Sequence, residues 1–271
     1  MQKRIAMIGG GNMAGALVAG LSSAGYPSEL IDVMDRNPGK CEKLHDAYGA
    51  NTHLSAGDWL RDAEVVVLAV KPQGLSKTIE EIKPFLKKEA FFISIAAGLR
   101  VCDIARWLGS DRLVRAMPNT PALVKAGVVG LYVPEAAKEF SKIAQEILRA
   151  MGEVITVQSE TQLDVLSTIS GSGPAYVFRF IEALEAAAVK RGFDPQAARK
   201  MAILTVVGSA KLAQNSSDSP AQLRINVTSK GGTTAEALRV MEEHHFMEMM
   251  DEAVQAAYDR SQVLADELGK I

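Results

Sequence analysis

The feature that most constrains this chain lies near its start, where Gly9, Gly10 and Gly11 follow the apolar run Ile5-Ala6-Met7-Ile8 and precede Asn12, Met13 and Ala14. Between a strand and a helix, these residues read G-x-G-x-x-A. Gly9 permits a tight turn, Gly11 lets backbone approach a pyrophosphate, and Ala14 lets the helix lie close to the strand. The helix N-terminus then faces the anion with unpaired N–H groups. A plain glycine turn is the competing reading. The placement between an apolar run and a helical pattern favours the dinucleotide cradle.

The pattern that follows agrees. Short apolar runs recur at residues 5–8, 30–34, 65–70, 91–95 and 113–117, bounded by Gly, Pro, Asp or Asn. Apolar on both faces, they suit the strands of a covered parallel sheet. Helical spacing fills residues 12–24, 38–48, 74–84 and 101–108 between them. Gly25 stands at a helix C′ position, with Pro27 close behind. This alternation predicts an α/β N-terminal domain, a Rossmann-type doubly wound sheet with right-handed crossovers. Runs at 128–133 and 154–157, flanking a helix over 134–151, extend that sheet. After residue 158 the strand pattern stops, and Asp194-Pro195 and Ser219-Pro220 open helices. The expected organisation is a dinucleotide-binding domain over residues 1–160 and an all-α C-terminal domain over 161–271.

Charge and composition narrow the partners. With 23% charged residues and a net charge of −2, the chain shows no basic footprint for nucleic acid. Cys41 and Cys102 stand far apart, so free thiols in a reducing cytoplasm are expected. His45, His53, His244 and His245 lack metal-ligand spacing, and no metal is expected. The opening residues are basic then apolar, like a leader, but the apolar run ends at Gly9 and reads better as a buried strand. No later stretch approaches the roughly 20 apolar residues of a membrane span. The implied partners are a small molecule and another copy of the chain. Residues 174–190, with Val177, Phe178, Phe180, Ile181, Leu184 and Val189, and residues 201–207 are apolar round more than one face. Such helices must be covered on most sides, and so small a helical domain predicts subunit contact. The competing reading is a central helix wrapped by its own domain.

Asp35 ends the second strand where an acid binds the ribose 2′-OH of NAD. Arg36 follows, where an arginine pairs with the 2′-phosphate of NADP. The two signals conflict; NADPH is favoured, with NADH as the alternative. Ala69, Val70, Lys71 and Pro72, and likewise Ala96, Ala97 and Gly98, end their strands on the same edge as the glycine loop, the ligand-holding edge of doubly wound sheets. The small residues leave room for a ribose and nicotinamide. Lys71 by itself reads equally as a solvated lysine. Three further segments, 115–121, 170–176 and 227–234, are rich in small and polar residues at strand ends or helix starts, where unpaired N–H groups can bind anions.

Taken in order, the glycine loop with Asn12-Met13-Ala14, Ala69-Val70-Lys71-Pro72, Ala96-Ala97-Gly98, Met117-Pro118-Asn119-Thr120-Pro121, residues 170–176 and residues 229–234 give the chain a full-length resemblance to the pyrroline-5-carboxylate reductase family. The resemblance implies a Rossmann domain, a helical dimerisation domain whose dimers exchange helices, and the last step of proline synthesis. Some members assemble dimers into larger rings. It adds Met117, Pro118 and Asn119 to the cofactor residues Gly9, Gly11, Asn12, Met13 and Ala14.

It makes Ser229, Gly231, Gly232, Thr233 and Thr234 the substrate-binding turn, with Thr234 as catalytic residue. On this reading the N–H groups of Gly231, Gly232 and Thr233 hold the carboxylate of a ring imine. The Thr234 hydroxyl passes the ring nitrogen a proton relayed from water. As isolated residues, Thr233 and Thr234 would read as a helix cap. Two positions depart from the family: Lys230 stands where a proline is usual, and Ile225 where an acid is common. The rivals are a β-hydroxyacid-type dehydrogenase, whose expected lysine and asparagine are Val177 and Phe180 here, and a non-enzymatic NAD(P)-sensing protein, which has no reason to carry the turn at 229–234.

Overall fold

The computed structural model describes residues 2–269, which form two compact units. One runs to Ser172 and takes in the chain again from Ala257; the other is Gly173–Ala256.

In the first unit, β1 (Ile5–Ile8), β2 (Ile31–Met34), β3 (Asn51–His53), β4 (Val65–Leu68), β5 (Phe91–Ser94), β6 (Leu113–Met117), β7 (Gly127–Tyr132) and β8 (Gly152–Val157) form one sheet. The order is β3-β2-β1-β4-β5-β6-β7-β8. Neighbours run parallel except β6 and β7. The link from Met117 to Gly127 is too short for a crossover helix, so β7 returns antiparallel. Around the sheet lie α1 (Asn12–Ser23), α2 (Pro38–Tyr48), α3 (Leu75–Ile82), α4 (Val101–Leu108), α5 (Ser141–Leu148) and α6 (Glu160–Leu166). Alternate strand residues feed two cores: Ile5, Met7, Val65, Val67 and Ile93 one, Ala6, Ile8, Val66, Leu68 and Phe92 the other. Each fully buried Ile, Leu or Met contributes about 1.5–3 kcal/mol. The doubly wound architecture expected from the runs is the one observed.

Three details differ from the periodicity. β3 was not foreseen, because Asn51-Thr52-His53 is polar and half-buried; backbone pairing to β2 defines it. The helix expected over 134–151 is split, with 3₁₀ turns at Glu135–Phe140 and Arg149–Met151 on either side of α5. Residues 161–172 and the chain from Ala257, both helical in pattern, lie in the first unit. Periodicity reports a helix but not the core on which it packs.

The second unit contains α7 (Gly173–Val189), α8 (Pro195–Gln214), α9 (Pro220–Asn226), α10 (Thr233–Glu243) and the start of α11 (Phe246–Leu268). The two Pro-N1 starts are capped as their sequences require. Asp194 accepts the Ala197 N–H at 2.9 Å, and Ser219 accepts that of Gln222 at 3.2 Å. No residue of α7 is buried, and in α8 only Ala198 and Ala202 are. Phe178 is 61% exposed. A groove of roughly 1160 Å³ lined by Val177, Phe180, Leu184, Val206, Phe246 and Met249 runs along these helices. Among the described residues, nothing buries the apolar faces of α7, and in α8 only two alanines are covered.

Candidate active site

The glycine loop is built as its residue types demand. Gly9 has φ +106°, and a Cβ there would lie 2.7 Å from the Ala69 carbonyl oxygen. Only glycine fits where the ends of β1 and β4 meet. The Gly9 N–H donates to the Met34 carbonyl at 2.7 Å. Gly11 caps α1 in an extended conformation without a side-chain acceptor, and a Cβ there would meet nothing within 4 Å. The first-turn N–H groups of α1 therefore have no side-chain cap, and Ala14, one turn in, is fully buried. This cradle fits a pyrophosphate.

Asp35 is tied to this loop from the end of β2. Its Oδ2 accepts the Gly10 N–H at 2.9 Å and Lys40 Nζ at 3.0 Å, and its Oδ1 accepts the Asn37 N–H at 2.9 Å. Burial by itself would raise its pKa. The N–H donors of Asn37 and Gly10, together with Lys40, outweigh that and hold the carboxyl below its ordinary range. Arg36 is exposed and donates to both oxygens of Glu81 on α3, at 2.6 and 2.7 Å. Any phosphate contact by Arg36 competes with that pair. Lys40, a second cation at this corner, was missed in the sequence; its proximity depends on how α2 leaves β2.

The other cofactor candidates gather at the carboxyl ends of neighbouring strands. Ala69, Val70 and Pro72 are half-buried and Lys71 is exposed after β4. Ala96 is buried, Ala97 exposed and Gly98 half-buried after β5, with φ +73° at Gly98. Met117, the last residue of β6, is half-buried, and Pro118 and Asn119 beyond it are buried. The amide of Asn119 is engaged by backbone. It accepts the Val128 N–H at 2.9 Å and donates to the Ser170 carbonyl at 2.9 Å. Asn119 thus braces a π-helical turn at Ser167–Gly171 against the end of β6.

The candidate substrate turn belongs to the second unit. Gly232 N–H donates to the Ser229 carbonyl at 3.0 Å, and Gly231, third of the four turn residues, has φ +70°. This is a type II turn with Lys230 at its second position. It corrects one expectation: the Gly232 N–H closes the turn and is not left for a carboxylate. Thr233 and Thr234, both exposed, open α10, where N–H groups lack intrahelical acceptors. Ser229 and Gly231 are exposed as well.

A buried charge cluster was also missed. Arg115 in β6 is 4% exposed and Asp164 in α6 is 6% exposed. They pair at 3.0 Å, and Arg115 pairs with Glu160 at 2.9 Å. The available signal was an arginine inside an apolar strand, since a buried charge requires a partner. Among the described residues no three His, Cys, Asp or Glu side chains group as metal ligands, and no helix is long and apolar enough to cross a membrane. Cys41 is buried, Cys102 exposed, and both are free.

Comparison with known proteins accords with both halves. Residues 160–264 match the family described as pyrroline-5-carboxylate reductase dimerisation. Residues 4–98 match that described as NADP oxidoreductase, coenzyme F420-dependent. The pyrroline-5-carboxylate reductase of Pseudomonas aeruginosa is 37% identical over 269 residues, covering 98% of each chain. A solved pyrroline-5-carboxylate reductase from Coxiella burnetii is 40% identical with TM-score 0.92, covering 98% of this chain and 99% of that one. The Plasmodium falciparum pyrroline carboxylate reductase, solved with NADP bound, is 29% identical with TM-score 0.83, covering 98% of this chain and 99% of that one. With similarity of this extent over the whole length, and the two glycine turns in place, the chain belongs to the pyrroline-5-carboxylate reductase family.

Proposed function

We propose that this chain reduces 1-pyrroline-5-carboxylate to L-proline with a nicotinamide cofactor, NADPH in preference to NADH. The observation that carries the reading is the full-length similarity to pyrroline-5-carboxylate reductases. The cofactor, held by the first-turn N–H groups of α1 beside Gly9 and Gly11, supplies the hydride. Ala69–Pro72, Ala96–Gly98 and the end of β6 border its nicotinamide half. Arg36, with Lys40 beside it, supplies the cations for a 2′-phosphate.

The imine acid carries a carboxylate and a ring nitrogen that must gain a proton. The N–H groups of Gly231 and Thr233 at the start of α10 hold the carboxylate without any arginine. The Thr234 hydroxyl donates to the ring nitrogen and is replenished from water. Proximity of the imine carbon to the hydride donor does most of the remaining work. The working form is a homodimer through α7, α8 and α11, as their uncovered apolar faces require. A larger ring built from such dimers and a cytoplasmic setting complete the reading.

The test is to mix the protein with NADPH or NADH and pyrroline-5-carboxylate and follow the absorbance of the reduced nicotinamide. Turnover faster with NADPH is expected. Cofactor binding without turnover would overturn the reductase reading in favour of a nicotinamide-sensing protein.

A further inference from the structure

The segment from Ala96 to Leu99 leaves β5 on the cofactor edge and ends at Arg100, the residue that precedes α4. Its start is tied down by the Ile95 N–H on the Leu68 carbonyl at 3.1 Å. Its far end is held by side chains from two distant parts of the chain. Arg100 Nη1 donates to Asp164 Oδ2 at 2.6 Å, and Nη2 donates to Gln262 Oε1 at 2.9 Å. Gln262 Nε2 closes the ring on the same Asp164 oxygen at 3.1 Å. The next backbone N–H, that of Val101, donates to Glu160 Oε1 at 3.0 Å. Glu160 and Asp164 are in turn held by Arg115. In the middle of the segment Leu268 of α11 stands against Gly98, 3.1 Å from where a Cβ would lie.

Two arginines and two carboxylates balance one another through charge-assisted hydrogen bonds, with Arg115 and Asp164 buried and Arg100 and Glu160 at the edge of the cluster. A connection between a strand and a helix is ordinarily mobile, yet this one is pinned at both ends, buries Ala96 and Leu99, and has α11 against Gly98.

We infer that Arg100 is a positioning residue for hydride transfer. By gripping Asp164 and Gln262 it holds Ala96, Ala97 and Gly98 in the shape that seats the nicotinamide end of the cofactor. In this role Arg100 acts through the segment it terminates, its guanidinium being engaged by Asp164 and Gln262. This rests on the reductase reading for its kinetic consequence, though not for its structural one. Displacing a reacting group by about 1 Å costs up to about a hundredfold in rate. Loosening the segment therefore lowers kcat more than it weakens binding, because the pyrophosphate cradle at Gly9–Gly11 is untouched.

The experiment compares the full-length parent with Arg100→Ala, Arg100→Lys and Gln262→Ala. Gln262→Ala removes a neutral amide and leaves every ion pair in place, so it remains informative if Arg100→Ala does not fold. Two readouts are taken on folded protein: hydrogen–deuterium exchange of the peptide spanning 95–101, and kcat and the NADPH KM at saturating imine. Faster exchange in that peptide is expected, with kcat lowered about tenfold or more in Arg100→Ala and less in Gln262→Ala, the NADPH KM changing by less than about threefold. Arg100→Lys, which keeps one charged donor, should recover part of the loss. Unchanged exchange in both Arg100→Ala and Gln262→Ala overturns the inference, as does faster exchange with unchanged kcat. A merely structural role would lower Tm while leaving kcat per folded molecule intact. If the parent itself shows no turnover, the reductase reading fails, and the exchange result alone decides whether Arg100 orders the segment.

Discussion

Asp35 Oδ2 accepts the Gly10 N–H at 2.9 Å, so the end of β2 holds the middle of the loop that follows β1. The same oxygen takes Lys40 at 3.0 Å. An acid at this corner therefore acts first on the protein itself, orienting the cradle before any ribose arrives. It also holds the Lys40 ammonium at the corner beside the glycine loop.

The carboxyl of Asp35 is held below its ordinary range in the folded chain. Its stabilisation is complete above the unfolded value of about 3.9 and disappears as pH falls through the folded value. Asp35→Asn should flatten the acid limb of the stability curve. Measured between about pH 5 and 3, the parent Tm should fall more steeply than that of the variant. Parallel curves would show that Asp35 gains nothing from Gly10, Asn37 and Lys40.

Arg36 is shared with Glu81. Arg36→Ala should raise the KM for NADPH by about tenfold, the scale of one lost charge-assisted hydrogen bond, and that for NADH far less. Glu81→Gln, which frees the guanidinium, should lower the NADPH KM. Equal changes with both cofactors in steady-state assays would remove Arg36 from 2′-phosphate recognition.

Thr234 opens α10 with its side chain exposed. Thr234→Ala should lower kcat/KM by roughly 10²-fold, the usual scale for one transition-state proton donor. Thr234→Ser, which keeps the hydroxyl, should retain most activity. A loss under about threefold in the alanine variant would take Thr234 out of the chemistry.

Lys230 occupies the second position of a type II turn, where proline pre-sets the required φ. Its N–H makes no backbone hydrogen bond among the described residues. Lys230→Pro should therefore stabilise the protein by about 0.4–1 kcal/mol through the unfolded chain. Thermal unfolding checks this. A drop in Tm would mean that the turn is not of this type in solution.

Phe178 is 61% exposed on α7, the helix whose Val177 and Phe180 line the apolar groove. Phe178→Glu would place a charge in a dimer core and should shift the protein to monomer in sedimentation at micromolar concentration. An unchanged dimer would move the interface off α7.

Much of the fold was legible because its signals are local or periodic. β1, β4 and β5 are apolar on both faces, as strands covered by helices must be. β3 was not legible, since nothing in Asn51-Thr52-His53 marks an edge strand until β2 lies beside it. Asn119 was placed among cofactor ligands from its neighbours in sequence. Its amide also bridges Val128 and Ser170, a role that exists only once β7 and the π turn are brought to it.

The backbone shape of the two glycine turns was determined by sequence alone. Left-handed glycines at Gly9 and Gly231, and a helix start after each, are decided within a few residues by backbone sterics. The charge partners were decided by tertiary structure: Arg36 with Glu81, Arg115 with Glu160, Arg100 with Asp164 and Gln262. Coulomb attraction depends on separation in space and on the local dielectric. Neither can be read from the number of residues between two charges.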